Sequence, residues 1–194
     1  MLNQNIHVEE PKATLAMHPK KFALWLFIVS IVMLFAALTS AYIVKQADGN
    51  WLSFKLPGIF AINTAVIALS SVTMHLAYLG AKKDLLERIK WMLVLTIILG
   101  MIFLAGQYIS WSELVKSNVY FVSNYASGSF IYVFTGLHGL HLVSGIIFLL
   151  ITLVSSLKLR IHAKNLVQIE MCMTYWHFLG GLWLYLYLFL LFNL

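Results

Sequence analysis

The sequence predicts an all-α membrane protein, an integral bundle of five transmembrane helices. Three observations predict it. Of the 194 residues, 61% are apolar and 10% charged, whereas soluble domains carry roughly 25% charged residues. The apolar residues gather into five runs, each matching the length of about 20 residues that a helix needs to cross the hydrocarbon core. The basic residues stand in short blocks between those runs, as topology signals do. The net charge of +6 therefore argues for membrane orientation and not for nucleic-acid binding. A soluble fold of this size would need a charged surface that this chain lacks, and no strand-like alternation suggests a barrel.

Residues 1–21 read as a polar tail. The tail has no apolar core of the kind a cleavable signal needs, and its His7 and His18 read as solvated side chains. The first span is expected at about 22–44, opened by Lys20 and Lys21. Asp48-Gly49-Asn50 then supplies turn chemistry, and Trp51, Phe54 and Pro57 suit a segment at headgroup level. The second span is expected at about 59–79, and the stretch GAKKDLLERIK after it is the most charged of the chain. The third span, about 91–111, is followed by Tyr120, Phe121 and Tyr125, again interfacial in character. The fourth and fifth spans, about 128–157 and 167–192, flank the basic loop KLRIHAKN. Residues 22–194 thus form one transmembrane domain.

Orientation follows from the charges. With five spans, Lys12, Lys20, Lys21, Lys82, Lys83, Arg88, Lys90, Lys158, Arg160 and Lys164 share one side, against Lys45, Lys55 and Lys116 on the other. The positive-inside rule then puts the N-terminus in the cytoplasm and the C-terminus in the periplasm. An even number of spans would break this segregation. All three prolines, at 11, 19 and 57, lie outside the spans. That removes the commonest cause of kinks and argues against the broken helices that transporters use at substrate sites. The single cysteine, Cys172, permits no internal disulfide and reads as a small buried or lipid-facing residue.

Ionisable groups at membrane depth call for a partner or a purpose. The spans hold His75, His138, His141, Glu170 and His177. His138 and His141 stand at i and i+3, on one helical face, with Thr135, Ser144 and Gly145 nearby. Two readings compete: a pair of haem or metal ligands, or imidazoles hydrogen-bonded where helices approach closely. His177 lies near the middle of the last span, followed by Gly180 and Gly181. Glu170, the only acid in any span, is either neutral or paired. At about 1.5 Å per residue, Glu170 and His75 fall in one layer near the cytoplasmic end, so a His75–Glu170 contact is expected. A proton relay needs several ionisable groups spaced across the membrane, which one acid does not supply. Trp176, Phe178, Trp183, Tyr185 and Tyr187 read as packed or lipid-facing aromatics rather than a cofactor box.

The pairing of TGLHGLH in one span with Glu170, Tyr175-Trp176-His177-Phe178 and Trp183 in the next resembles subunit III of the haem–copper terminal oxidases. Weaker agreement extends upstream through LFIVS, Asn63-Thr64, SSVTM and LGMIFLAGQY, so that the resemblance covers almost the whole chain after Lys21. It implies the short five-helix bacterial form, in the inner membrane. The implied role is accessory: a non-redox subunit of a cytochrome c or quinol oxidase, which reduces oxygen to water and translocates protons. Such a subunit packs on and stabilises the catalytic subunit I beside the copper-bearing subunit II, supports proton uptake and binds phospholipid. The haems and copper belong to those partners. The resemblance thus implies no catalytic, cofactor or metal role for His75, His138, His141, Glu170 or His177, which become structural polar residues. A catalytic oxidase subunit needs six histidine ligands and a dinuclear copper site two cysteines, and the spans offer neither.

The sequence also departs from the family. The long form has two further helices before the first span here. A glutamate of the family is replaced by Ile31, and the aspartate that usually follows YWHF is absent from Leu179-Gly180-Gly181. Roles tied to those carboxylates do not transfer. Two alternatives remain: an accessory subunit of a nitric oxide reductase, and a small membrane haem protein with His138 or His141 and His177 as ligands.

Overall fold

The computed structural model describes residues 18–49, 51, 56–122, 125–159, 161 and 165–193. The expectations for residues 1–17, Asn50, Phe54, Lys55, Arg160 and Lys164 lie outside them.

Five helices account for nearly all of the described chain: α1 (Pro19–Ala47), α2 (Ile59–Lys82), α3 (Leu86–Lys116), α4 (Ala126–Leu157) and α5 (Val167–Asn193). Each is long and apolar enough to cross a membrane, so every interior backbone group is satisfied within its own helix, as hydrocarbon demands. The helices outrun the apolar runs because flanking polar residues continue the turn. α1 starts at Pro19, where a missing N–H does no harm, and the His18 imidazole accepts the Lys20 N–H at 3.3 Å.

The helix ends follow from local chemistry. After α2, Asp84 takes a left-handed φ of 52°, and the Leu85 N–H reaches back to the Gly80 carbonyl at 3.0 Å. After α3, Asn118 does the same at φ 60°, with Val119 N–H on Leu114 carbonyl at 3.0 Å. Both are left-handed caps that satisfy carbonyls otherwise exposed at a helix end, and short polar side chains tolerate the conformation best.

α2, α3, α4 and α5 close into a ring in which each helix packs on two neighbours, and α1 lies outside it against α4 and α5. α1, α3 and α5 therefore begin at the end of the bundle where α2 and α4 finish. The described lysines and arginines of that end are Lys20, Lys21, Lys82, Lys83, Arg88, Lys90 and Lys158, against Lys45 and Lys116 at the other.

Trp176 of α5 sits at the centre. Its indole N–H donates to Ser70 Oγ of α2 at 3.1 Å. A methyl carbon placed on Gly100 of α3 would lie 2.8 Å from its Cη2. One placed on Gly145 of α4 would lie 3.3 Å from its Cε3 and 2.8 Å from Leu179 Cδ1. Two glycines thus make the slot for one indole that ties four helices together, which is how small residues drive association where the solvent is as apolar as the core.

Candidate functional site

The polar side chains of the bundle lie in layers along its axis. At the lysine-rich end, Glu170 opens the first turn of α5. Its Oε2 accepts from the Lys21 ammonium of α1 at 2.6 Å, and its Oε1 accepts from the Tyr78 hydroxyl of α2 at 3.2 Å. The pair is part-exposed, with Lys21 at 37% and Glu170 at 29% side-chain exposure, and it lies in the first turn of both α1 and α5. Lys82 Nζ caps the Tyr78 ring at 4.7 Å from its centroid. A cleft of about 250 Å³ beside the pair is lined by Lys21, Trp25, Tyr78, Glu170 and Thr174.

The depth count placed Glu170 near the lysine-rich end, but the expected His75–Glu170 contact does not form: Tyr78, not His75, is the α2 residue level with the carboxylate. His75 is one turn deeper than Tyr78 on α2, and its ring neighbours are Tyr78 at 6.4 Å and His177 at 6.3 Å. The carboxylate instead takes a cation from α1. Lys21 begins its helix on the same side as Glu170 begins α5, and a primary ammonium on a flexible stem reaches that end where an imidazole anchored deeper does not. That shared starting side was the signal in the sequence for this pair.

His138 and His141 diverge despite their spacing. His138 is fully buried, with the Phe103 ring of α3 at 5.9 Å and the Trp183 ring of α5 at 5.2 Å. His141 turns towards α1, with Phe35 at 5.9 Å, and its Nδ1 bonds the Leu137 carbonyl at 2.7 Å. Next to it, Ser144 Oγ and the Tyr175 hydroxyl share a bond of 2.7 Å that joins α4 to α5. His177 faces His75 across α2 and α5. The structure therefore distributes the four histidines over three separate surroundings instead of gathering them around a haem-sized space. Among the described residues, no group of three or more His, Cys, Asp or Glu side chains is assembled as a metal site.

Several polar residues to which the sequence reading gave no partner bond across the helix seams or lie buried between them. The Trp183 indole donates to Thr64 at 3.0 Å and the Trp111 indole to Thr135 at 2.9 Å. Thr73 and Thr96 bond across α2 and α3 at 2.8 Å. Asn63 and Gln107 are 3% and 4% exposed. At the far end, Tyr42 and Gln46 of α1 both donate to the Asn193 carbonyl of α5, at 3.1 and 2.9 Å. Amide and hydroxyl side chains carry no charge to attract notice in a hydropathy pattern, yet in a bundle they supply most of the interhelical bonds.

This is the architecture of a helical membrane bundle: a slot built on glycines, tryptophans donating across seams, and an ion pair joining α1 to α5. The profile of the family described as cytochrome c oxidase subunit III matches residues 9–193, and the chain belongs to that family, the accessory subunits of haem–copper oxidases. It is 31% identical to a probable cytochrome c oxidase subunit 3 of Nocardia farcinica over 84% of this chain and 82% of that one. It is 28% identical to the cytochrome bo(3) ubiquinol oxidase subunit 3 of Buchnera aphidicola over 90% and 94%. The match to the mouse cytochrome c oxidase subunit 3, at 29% identity, covers 86% of this chain and 67% of that longer protein.

Proposed function

We propose that this chain is the non-redox subunit III of a bacterial terminal oxidase in the inner membrane, with its N-terminus in the cytoplasm. In this reading it carries no catalytic centre of its own. It packs on the catalytic subunit I, beside the copper-bearing subunit II, and those partners hold the haems and copper. The observation that carries the reading is the fate of Glu170. The only acid of the expected spans is engaged by Lys21 and Tyr78 in joining α1, α2 and α5, so it serves assembly and not chemistry. The segregation of basic residues to one end supports the orientation. A cleft of about 450 Å³ at that end, lined by His18, Lys20, Phe148, Ser155, Asn165 and Gln168, offers cationic and polar groups above an apolar floor, which suits a phospholipid.

The test is a pull-down of the tagged chain in mild detergent, with a visible spectrum and mass identification of what accompanies it. Large oxidase subunits should come with it, and their haem bands should vanish when the chain is purified alone. A haem band that stays with the isolated chain would overturn the reading.

A further inference from the structure

Five buried side-chain atoms on three neighbouring helices have no hydrogen-bond partner: Asn63 Nδ2, Gln107 Nε2 and Oε1, and both ring nitrogens of His138. The three residues belong to one layer. Asn63 of α2 lies against Gly106 of α3, where an added methyl carbon would fall on the carboxamide. Gln107 is the next residue. On α3 it is one turn from Phe103 and one turn from Trp111. Phe103 touches His138, and Trp111 bonds Thr135, one turn from His138 on α4. Gln107 therefore stands between the levels of Thr135 and His138, and Trp183 closes the layer from α5 by touching His138 and bonding Thr64.

A buried donor or acceptor left without a partner is costly, and five within one layer call for a shared partner. The mixture of atoms selects what satisfies them. The two carboxamide NH2 groups and one imidazole N–H donate, while Gln107 Oε1 and the second imidazole nitrogen accept. A cation would meet the N–H groups, and an anion would have no positive side chain facing it. A neutral molecule with two donors and two acceptors matches both sets. We propose that the Asn63–Gln107–His138 layer is an internal hydration site, in which ordered water bridges α2, α3 and α4 within the hydrocarbon zone. The site is distinct from the Lys21–Glu170 pair and goes beyond the accessory role. It makes His138 a water-holding residue within the TGLHGLH motif.

Radiolytic hydroxyl labelling of the purified oxidase complex tests it, because bound water next to a side chain becomes the local source of radical. Trp183 and Trp176 form an internal control: same residue type, same helix, 0% and 1% exposed, but only Trp183 touches the layer. Trp183 should be oxidised several-fold faster than Trp176, and Gln107→Leu should bring it down to the rate of Trp176. Equal rates in the unaltered complex would overturn the proposal and mean that the three side chains pair directly. The comparison stands on the unaltered complex alone should Gln107→Leu fail to assemble. A high-resolution map of the complex gives a second reading: water density within hydrogen-bond distance of Gln107 and His138 supports the site, and direct Asn63–Gln107–His138 bonds refute it.

Discussion

The slot around Trp176 gives the sharpest quantitative prediction. Gly100→Ala would place a carbon 2.8 Å from Trp176 Cη2 and 3.3 Å from Cζ2, where carbon contacts normally lie at about 3.5–4.0 Å. The indole has little room to retreat. It is 1% exposed, its nitrogen is held by Ser70, and its other edge already rests on Gly145. Overpacking of this kind destabilises by about 1–3 kcal/mol, while replacing a helical glycine by alanine returns about 1 kcal/mol. The net expectation is a loss of up to about 2 kcal/mol. Trp176→Phe removes the clashing atoms together with the Ser70 bond, so the alanine should be harmless in that background. The double variant should then lose less than the sum of the singles by about 1 kcal/mol or more, a coupling of the size found between contacting residues. Equilibrium unfolding of the purified chain in mixed micelles measures all four species. If Gly100→Ala is more stable than the parent, or the two effects add to within about 0.5 kcal/mol, the indole does not occupy a fixed slot and the reasoning fails.

Three further outcomes follow from the same geometry. Glu170→Gln should weaken the hold of α1 by about 1 kcal/mol at most, since the Lys21–Glu170 pair is part-exposed; a cycle with Lys21→Met should show the coupling, and its absence would mean the pair contributes nothing. Tyr42→Phe should be mild because Gln46 still holds the Asn193 carbonyl, whereas adding Gln46→Leu should expose the C-terminal turn of α5 to faster amide exchange, by roughly the tenfold that about 1.4 kcal/mol corresponds to. For orientation, a membrane-impermeant thiol reagent on intact cells should label Lys116→Cys and leave Lys82→Cys unlabelled until the membrane is opened; the reverse pattern would invert the topology.

Much of the fold was legible before any coordinates. Five apolar runs became five helices because a chain in hydrocarbon must satisfy its backbone within each segment. The basic blocks between the runs put Lys21, Lys82, Arg88 and Lys158 at one end of the bundle. The family, too, was legible, because TGLHGLH and the Tyr175–Phe178 motif are specific in kind and order. The polar residues that needed partners, from His75 to His177, could be named from depth alone.

Which groups meet was decided only by the tertiary structure. Lipid is as apolar as the interior, so the pattern of apolar residues does not mark the buried face. Leu140 is 66% exposed and Leu142 fully buried, though both are leucines of one run. For the same reason spacing put His138 and His141 on one face, while packing turned one to Phe103 and Trp183 and the other to Phe35. The partner of Glu170, the slot that Gly100 and Gly145 open for Trp176, and the layer of Asn63, Gln107 and His138 all depend on how helices distant in sequence are rotated against each other. Hydropathy sets the length and number of helices; close packing and hydrogen bonds across the seams set their rotation, and those contacts exist only once the bundle has closed.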